Sequence, residues 1–227
     1  AWIEVAPGVT DHGALTGLAD DDHTQYRLES ADHTHLSTGL QGGLVQSLID
    51  ADGDTKIQVE ESADEDKIRM DVLGVESFLL SNVGVLTLAK QSAAGVWRSG
   101  DQTIATTALT DVQFTTEEFD IQNEFNLTNY RFTATEAGIY AITARAFLNV
   151  GAGNYTGIYL VKNGAAAKRG LIFGSAPDAT AYGFVLSALL QLAANDYLTI
   201  QVYQDSGVNK VLGGGQDVTW AQFVKIT

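Results

Sequence analysis

Residues 132–148 read Phe-Thr-Ala-Thr-Glu-Ala-Gly-Ile-Tyr-Ala-Ile-Thr-Ala-Arg-Ala-Phe-Leu. Few chains can accommodate such a run except in a β-sheet. Tyr140, Ile142, Ala144, Ala146 and Leu148 point one way, and Ile139, Ala141, Thr143, Arg145 and Phe147 point the other. A period of two with one wholly apolar side is a strand lying on a core. The second side is half apolar, which a strand facing water does not need. A second layer or another copy of the chain is therefore expected to cover it. Gly138 is expected to supply the turn before the run, because it tolerates positive φ without a Cβ clash.

These residues also carry a resemblance. Phe132, the polar residues after it, Gly138-Ile139-Tyr140 and the following strand resemble the signature of the C1q/TNF-like jelly-roll family. Leu160-Val-Lys-Asn-Gly164, the segment from Leu189 to Val202 and the closing Trp220-Ala-Gln-Phe-Val-Lys-Ile226 stand where that family has comparable segments. The family's aromatic pattern in the last strand is only partly kept. Strands are predicted over 96–99, 103–106, 109–115, 127–133, 139–148, 156–162, 167–173, 182–192, 197–204 and 218–226. Roughly ten short strands suit a jelly-roll sandwich. Lys162-Asn163-Gly164 is a hairpin signal, since Asn-Gly accepts positive φ at both central positions; Ala194-Asn195-Asp196 is a second turn.

C1q-like heads are trimers, so the resemblance implies a homotrimer. The residues agree on their own terms. Phe184, Leu186, Ala188, Leu190 and Leu192 fill one face of a strand, with Val185 and Leu189 on the other. The closing strand separates Val218, Trp220, Val224 and Ile226 from Ala221 and Phe223. Apolar residues on both faces of a two-layer sandwich mean that one outer face is covered. Tyr140, Phe147, Phe184, Trp220 and Phe223 are expected in the trimer core.

Residues 1–45 are too rich in Gly, Asp and Thr for helix and too poor in apolar residues for a core of their own. Asp11-His12-Gly-Ala-Leu15-Thr-Gly17-Leu18 echoes Asp32-His33-Thr-His35-Leu36-Ser-Thr-Gly39-Leu40, with Asp22-His23 between them. Three copies around an axis could bury Leu15, Leu18, Leu36 and Leu40, so Leu36 and Leu40 join the expected trimer core. The run from His12 to Tyr26 resembles a segment of bacteriophage tail-fibre and neck-fibre proteins. Residues 46–92 hold further short strands, around Thr55-Lys-Ile57-Gln-Val59, Lys67-Ile68-Arg-Met70-Asp-Val72, Glu76-Ser-Phe78-Leu-Leu80 and Val85-Leu86-Thr-Leu88. They are too few to close a core singly, which argues for an intertwined β-prism or shaft. Gln91-Ser-Ala-Ala-Gly95 reads as a linker, with the head at 93–227. The expected class is all-β: a trimeric fibre with an intertwined N-terminal shaft and a C-terminal jelly-roll (C1q-like) sandwich head.

Composition narrows the function. The chain of 227 residues has no Cys, so neither disulfides nor thiolate metal sites enter. No apolar run is long enough to span a bilayer, and no charged leader precedes an apolar segment, so neither membrane insertion nor a signal peptide is expected. The Ala-Trp-Ile start without Met is that of a fragment or processed product. Net charge is −15; residues 1–95 hold 17 acidic against 5 basic residues, and residues 96–227 hold 11 against 8. Phosphates would be repelled, and no basic stripe exists, so nucleic acid is excluded as a partner.

His33-Thr34-His35 is the sharpest candidate for chemistry. Residues two apart in an extended segment face one side. Three copies would bring six imidazoles together, which suits an octahedral ion such as Fe(II) better than four-coordinate zinc. The arrangement is similar to His-X-His sites in long tail fibres of T-even phages; the alternative is a pair of surface histidines flanking a turn. Asp50-Ala-Asp-Gly-Asp54 with Glu61 hints at an EF-hand, but Gly53 stands fourth instead of sixth, and a polar turn fits better. Some C1q-like heads bind calcium; Asp101, Asp111, Glu117, Glu118, Asp120 and Glu124 supply no ligand set that maps onto one, and read as solvated loop carboxylates.

Enzyme signatures are missing. All four His precede residue 36, so no Ser-His-Asp arrangement can form within the head. Gly213-Gly-Gly215 lacks the Lys-Ser/Thr of a phosphate loop and reads as a turn. Adjacent Glu117 and Glu118 would diverge on a strand, unlike a glycosidase pair. The resemblances imply a non-enzymatic virion protein, a tail or neck fibre whose head attaches to a bacterial surface glycan or protein. Tyr155, Arg169, Phe173 and Tyr182 are candidate ligand contacts in apical loops. A structural fibre with the head as trimerisation domain is the alternative, and a polysaccharide depolymerase a more distant one.

Overall fold

The computed structural model describes residues 47–59, 62, 64–148, 150–151, 154–173 and 182–227. Strands account for all regular structure among them. The first five are β1 (Ser47–Ile49), β2 (Lys56–Gln58), β3 (Ile68–Val72), β4 (Val75–Leu80) and β5 (Leu86–Thr87). Then follow β6 (Ala93–Trp97), β7 (Gln102–Ile104), β8 (Thr110–Asp111), β9 (Thr116–Asp120), β10 (Phe125–Asn126), β11 (Arg131–Thr133) and β12 (Gly138–Leu148). The chain continues through β13 (Tyr155–Lys162), β14 (Ala165–Phe173), β15 (Tyr182–Leu192), β16 (Tyr197–Gln204), β17 (Lys210–Leu212) and β18 (Trp220–Lys225).

Strands β1 to β5 form an antiparallel meander in sequence order. The register sets Leu48, Ile57, Met70 and Phe78 in one row across it, and Ile68, Leu80 and Leu86 in the next. The reverse face is mixed: Ile49 and Leu79 lie on it beside paired charges. Lys56 pairs with Asp71 at 3.1 Å, and Arg69 with Glu76 at 2.9 Å and with Glu65. No residue before Ala93 belongs to the buried hydrophobic core among the described residues. A single layer cannot bury a face against itself.

The remaining strands make two packed sheets. One runs β15-β12-β18-β6-β9, with β7 and β17 extending the far end of β12; the other runs β10-β11-β16-β13-β14, with β8 beside β16. Numbering the eight principal strands β6, β11, β12, β13, β14, β15, β16 and β18 as one to eight, the sheets read 1-8-3-6 and 2-7-4-5. Successive strands exchange sheets, except the β13–β14 hairpin, in the manner of a jelly roll. Strand β9 lies outside the expected set because Thr116-Glu-Glu-Phe-Asp120 has no alternation; pairing with β6 makes it a strand.

An aromatic cluster holds the sheets together. Phe132 of β11 stacks on Phe223 of β18, with ring centroids 4.7 Å apart and planes 4° from parallel. Tyr140 meets Phe132 edge-on at 5.7 Å, and Phe125 bridges Phe223 to Phe114. The buried Tyr140 hydroxyl donates to the Glu136 carbonyl at 2.9 Å, so the ring brings no unsatisfied polar atom inside. The inward row of β12 is fully buried, as its alternation predicts.

Several expectations need correction. Tyr140, Phe184 and Phe223 have no exposed surface within one chain. They are the sandwich's own core and leave nothing for a subunit interface. Phe147 and Trp220 are half-buried on the outward side, while Leu36 and Leu40 lie outside the described residues. Gly138 does not adopt positive φ. Glycine is required there by space: a Cβ would meet Lys225 Cε at 2.6 Å and the Thr227 backbone oxygen. The small-residue segment at 91–95 is no linker from Ala93 onward, since Ala93 and Ala94 are buried in β6. The Asn163-Gly164 hairpin forms as its residues require, with φ of 50° and 81°.

That hairpin is clasped to the 193–196 turn. The Asp196 carboxylate takes Lys162 Nζ at 2.7 Å, Asn163 Nδ2 at 2.6 Å and the Ala193 N–H at 2.7 Å. Hydrogen bonds from Lys162, Asn163 and the Ala193 amide lower its pKa from 3.8 to about 2. A depressed carboxyl stabilises the fold above its unfolded pKa and loses that contribution as pH falls through the folded value. Asp196→Asn should therefore lower the thermal midpoint at pH 7, with the gap to wild type closing between pH 4 and pH 2; circular dichroism melts across that range measure it. Phe132→Ala should cost about 3–5 kcal/mol in urea unfolding, the usual loss for a buried Phe.

Candidate functional site

The two sheets present outward faces of opposite chemistry. On the β15-β12-β18-β6-β9 sheet, Leu189 lies opposite Ala141, which lies opposite Val224. Val185 lies opposite Arg145, and Arg145 opposite Trp220. Val185 and Leu189 are 58% and 60% exposed; Ile139 is exposed on the neighbouring β12, and Phe119 is exposed at the far edge of the sheet. The Arg145 guanidinium folds onto the Asp217 and Val218 carbonyls, and Ser187, Thr143 and Gln222 form a polar row between the rows of Val185 and Leu189. The half-apolar second side of β12 thus lies open in a single chain.

The β10-β11-β16-β13-β14 sheet turns Ile158, Leu160, Leu198, Ile200 and Val202 inward. On the alternate positions Tyr155 is exposed, Tyr159, Tyr197, Gln201 and Tyr203 are half-buried, and Gly157, Val161 and Thr199 are covered by their neighbours. Register sets Tyr159 between Arg169 of β14 and Gln201 of β16, and Gly157 beside Tyr203. Arg131 lies over the Tyr197 ring at 4.2 Å, a cation–π contact at one end of the face. At the edge, Gln201 Nε2 donates to Asp111 Oδ1 at 2.9 Å, and the Tyr155 N–H donates to Asp205 Oδ1 at 2.6 Å.

Of the four candidate contact residues, three come together here. Tyr155 is registered opposite Phe173, and Arg169 opposite Tyr159, on adjacent strands instead of apical loops. Tyr182 stands in the other sheet, opposite Leu148. Tyr159, Gln201 and Tyr203 escaped sequence reasoning, although Tyr155 and Tyr159, and Tyr197 and Tyr203, share the outward parity of their strands. His33 and His35 lie outside the described residues.

The acidic residues resolve into separate roles. Glu124 is only 3% exposed and is no solvated loop carboxylate. It accepts from Ser92 Oγ, and from the Thr135 N–H and Oγ1 at 2.8 and 2.7 Å, which fastens the start of β6 to the β11–β12 connection. Asp120 caps the Glu124 and Phe125 amides, Asp101 holds the Gly214 N–H, and Glu117 and Glu118 are exposed on β9. Asp50, Asp52 and Asp54 bring carboxylate oxygens within 4.8 Å of one another. Asp50 is already taken up by the Gly53 and Thr55 amides, as in a polar turn, and the Thr55 amide chiefly lowers its pKa. A cleft of about 320 Å³ lies between Ser77, Leu88 and Lys90 of the meander side and Glu136, Lys225 and Ile226 of the sandwich. Its Lys225–Glu136 pair, at 2.6 Å, neutralises itself.

No family model matches the sequence, and no curated protein matches it. Similar solved structures include Eiger TNF from S. frugiperda, 13% identical with a TM-score of 0.49, covering 61% of this chain and 94% of that one. Murine APRIL at pH 5.0 is 15% identical with a TM-score of 0.49, covering 60% and 100%. The globular domain of zebrafish complement 1qA is 16% identical with a TM-score of 0.46, covering 60% and 98%. At these identities the likeness concerns fold alone, and the strand order above establishes the jelly roll independently.

Proposed function

We propose that this protein is a homotrimeric, non-enzymatic bacteriophage fibre whose C-terminal sandwich attaches to the bacterial surface. The observation that carries the reading is the meander of β1 to β5. It has a wholly apolar face, with Leu48 65% exposed, and no cover for it among the described residues. The open apolar patch around Val185 and Leu189 makes the same demand on the sandwich. Monomeric soluble proteins seldom leave two such surfaces open. Copies of the same chain cover both without further sequence, and a closed threefold ring leaves no patch to propagate.

In that trimer the β15-β12-β18-β6-β9 sheets turn toward the axis. The β10-β11-β16-β13-β14 sheets then face outward, three to a molecule. Three modest sites on one rigid body gain strength because the second and third contacts are effectively intramolecular. The resemblance of residues 12–26 to tail-fibre and neck-fibre proteins supports the bacteriophage setting.

Light scattering of the wild type should give three chain masses at micromolar concentration; a soluble single subunit would refute the reading. Val185→Asp with Leu189→Asp should release folded single chains, since both side chains are exposed and outside the core. Far-UV circular dichroism should keep its β signature, while adhesion to host cells should weaken about 100-fold through lost avidity. A stable trimer that adheres to no bacterium would leave the assembly and remove the attachment role.

A further inference from the structure

We infer that the outward face around Tyr159 and Arg169 binds an acidic polysaccharide, with sugar rings lying on the tyrosines and a carboxylate paired to the guanidinium. The inference rests on the attachment reading and names the ligand class of that site. Its first support is charge. The chain has 28 acidic residues, yet none occupies an outward position on β11, β13, β14 or β16. Two carboxylates stand nearby: Asp111 of β8, bonded by Gln201 and two strands from Tyr159 on the side away from Arg169, and Asp205, bonded by the Tyr155 amide.

Unspent bonding capacity is the second support. Arg169 is exposed, and no carboxylate or carbonyl pairs with it among the described residues. The Tyr159 and Tyr203 hydroxyls likewise have no partner among the described residues. A planar guanidinium matches a carboxylate through two parallel hydrogen bonds. Tyrosine offers a flat apolar ring with a polar tip, which suits a ligand whose rings are edged by hydroxyls.

Shape decides between a polymer and a small molecule. Gly157, registered among Tyr155, Tyr159 and Tyr203, has no side chain and is buried, so the neighbouring side chains make the surface here. Small molecules favour concave, enclosed sites. From Tyr159 to Tyr155 the strand advances about 13 Å at 3.3 Å per residue, which accommodates a run of linked sugar rings. A protein partner would also use tyrosine and arginine as anchors, so retention on the acidic polymers is what decides between the two. Among the described side chains of this face, Tyr155 is the exposed large hydrophobic one, whereas the opposite sheet exposes Val185, Leu189 and Ile139.

The test uses the full chain against immobilised polygalacturonate, polysialic acid and neutral dextran. With a net charge of −15 the protein as a whole repels polyanions, so retention requires a local site. One or both acidic polymers should retain the wild type at least ten times more strongly than dextran does. Arg169→Gln and Tyr159→Ala should each reduce that retention about tenfold or more, with thermal midpoint and trimer mass unchanged; Arg169→Lys should fall between. Equal retention on dextran, no retention on either acidic polymer, or retention unaffected by R169Q and Y159A overturns the inference. Adhesion to bacteria separates the two failures. Cells bound equally well by wild type and R169Q sink the ligand assignment alone, whereas no binding by wild type sinks the attachment reading itself.

Discussion

The stack of Phe132 on Phe223 is the contact from which the sandwich follows. The two rings come from different sheets and lie almost parallel, with Tyr140 and Phe125 closing around them. Burying several large aromatic side chains at one point contributes much of a small sandwich's stabilisation and fixes the spacing of its layers. Once that spacing is set, the inward rows of β12, β15, β16 and β18 have one way to face. Every second residue on those strands must then face out.

Those outward rows divide the labour of the molecule. One sheet offers valine, leucine and isoleucine, interrupted by a row of serine, threonine and glutamine; water disfavours its aliphatic part. The other offers tyrosine, glutamine, threonine and arginine, which tolerate water and can meet a hydrated ligand. The meander of β1 to β5 repeats the first chemistry, because among the described residues no second sheet shields its apolar side. A strand with two useful faces is expensive for a monomer and natural in an assembly. Buried Glu124 is satisfied by Ser92 and Thr135: a carboxyl group is tolerated inside because three donors surround it.

Much of this was legible from local pattern. The alternation of Tyr140, Ile142, Ala144, Ala146 and Leu148 marks the inward row, and the exposure of Val185 and Leu189 follows from the same rule. Asn163-Gly164 declares its hairpin through backbone sterics alone. Other features were illegible for equally physical reasons. Thr116–Asp120 is a strand because β6 offers it partners, and Glu124 is buried because Ser92 and Thr135 reach it from distant segments. The space that forbids a side chain at Gly138 belongs to Lys225 and Thr227, so a local conformational argument assigned the right residue the wrong cause.

The sequence by itself determined that the chain is all-β, which side of each long strand is apolar throughout, and that β12 and β15 carry apolar residues on both sides. These are properties of neighbours in the chain, set by the two-residue period of the extended backbone. Tertiary structure alone decided that Tyr140, Phe184 and Phe223 serve the chain's own core instead of a subunit interface. It also decided that Tyr155, Tyr159, Arg169 and Tyr203 share one open face while Tyr182 does not. Which strand lies beside which is a non-local choice, made by hydrogen-bond register and by the packing of rings far apart in the chain, and no window of residues contains it.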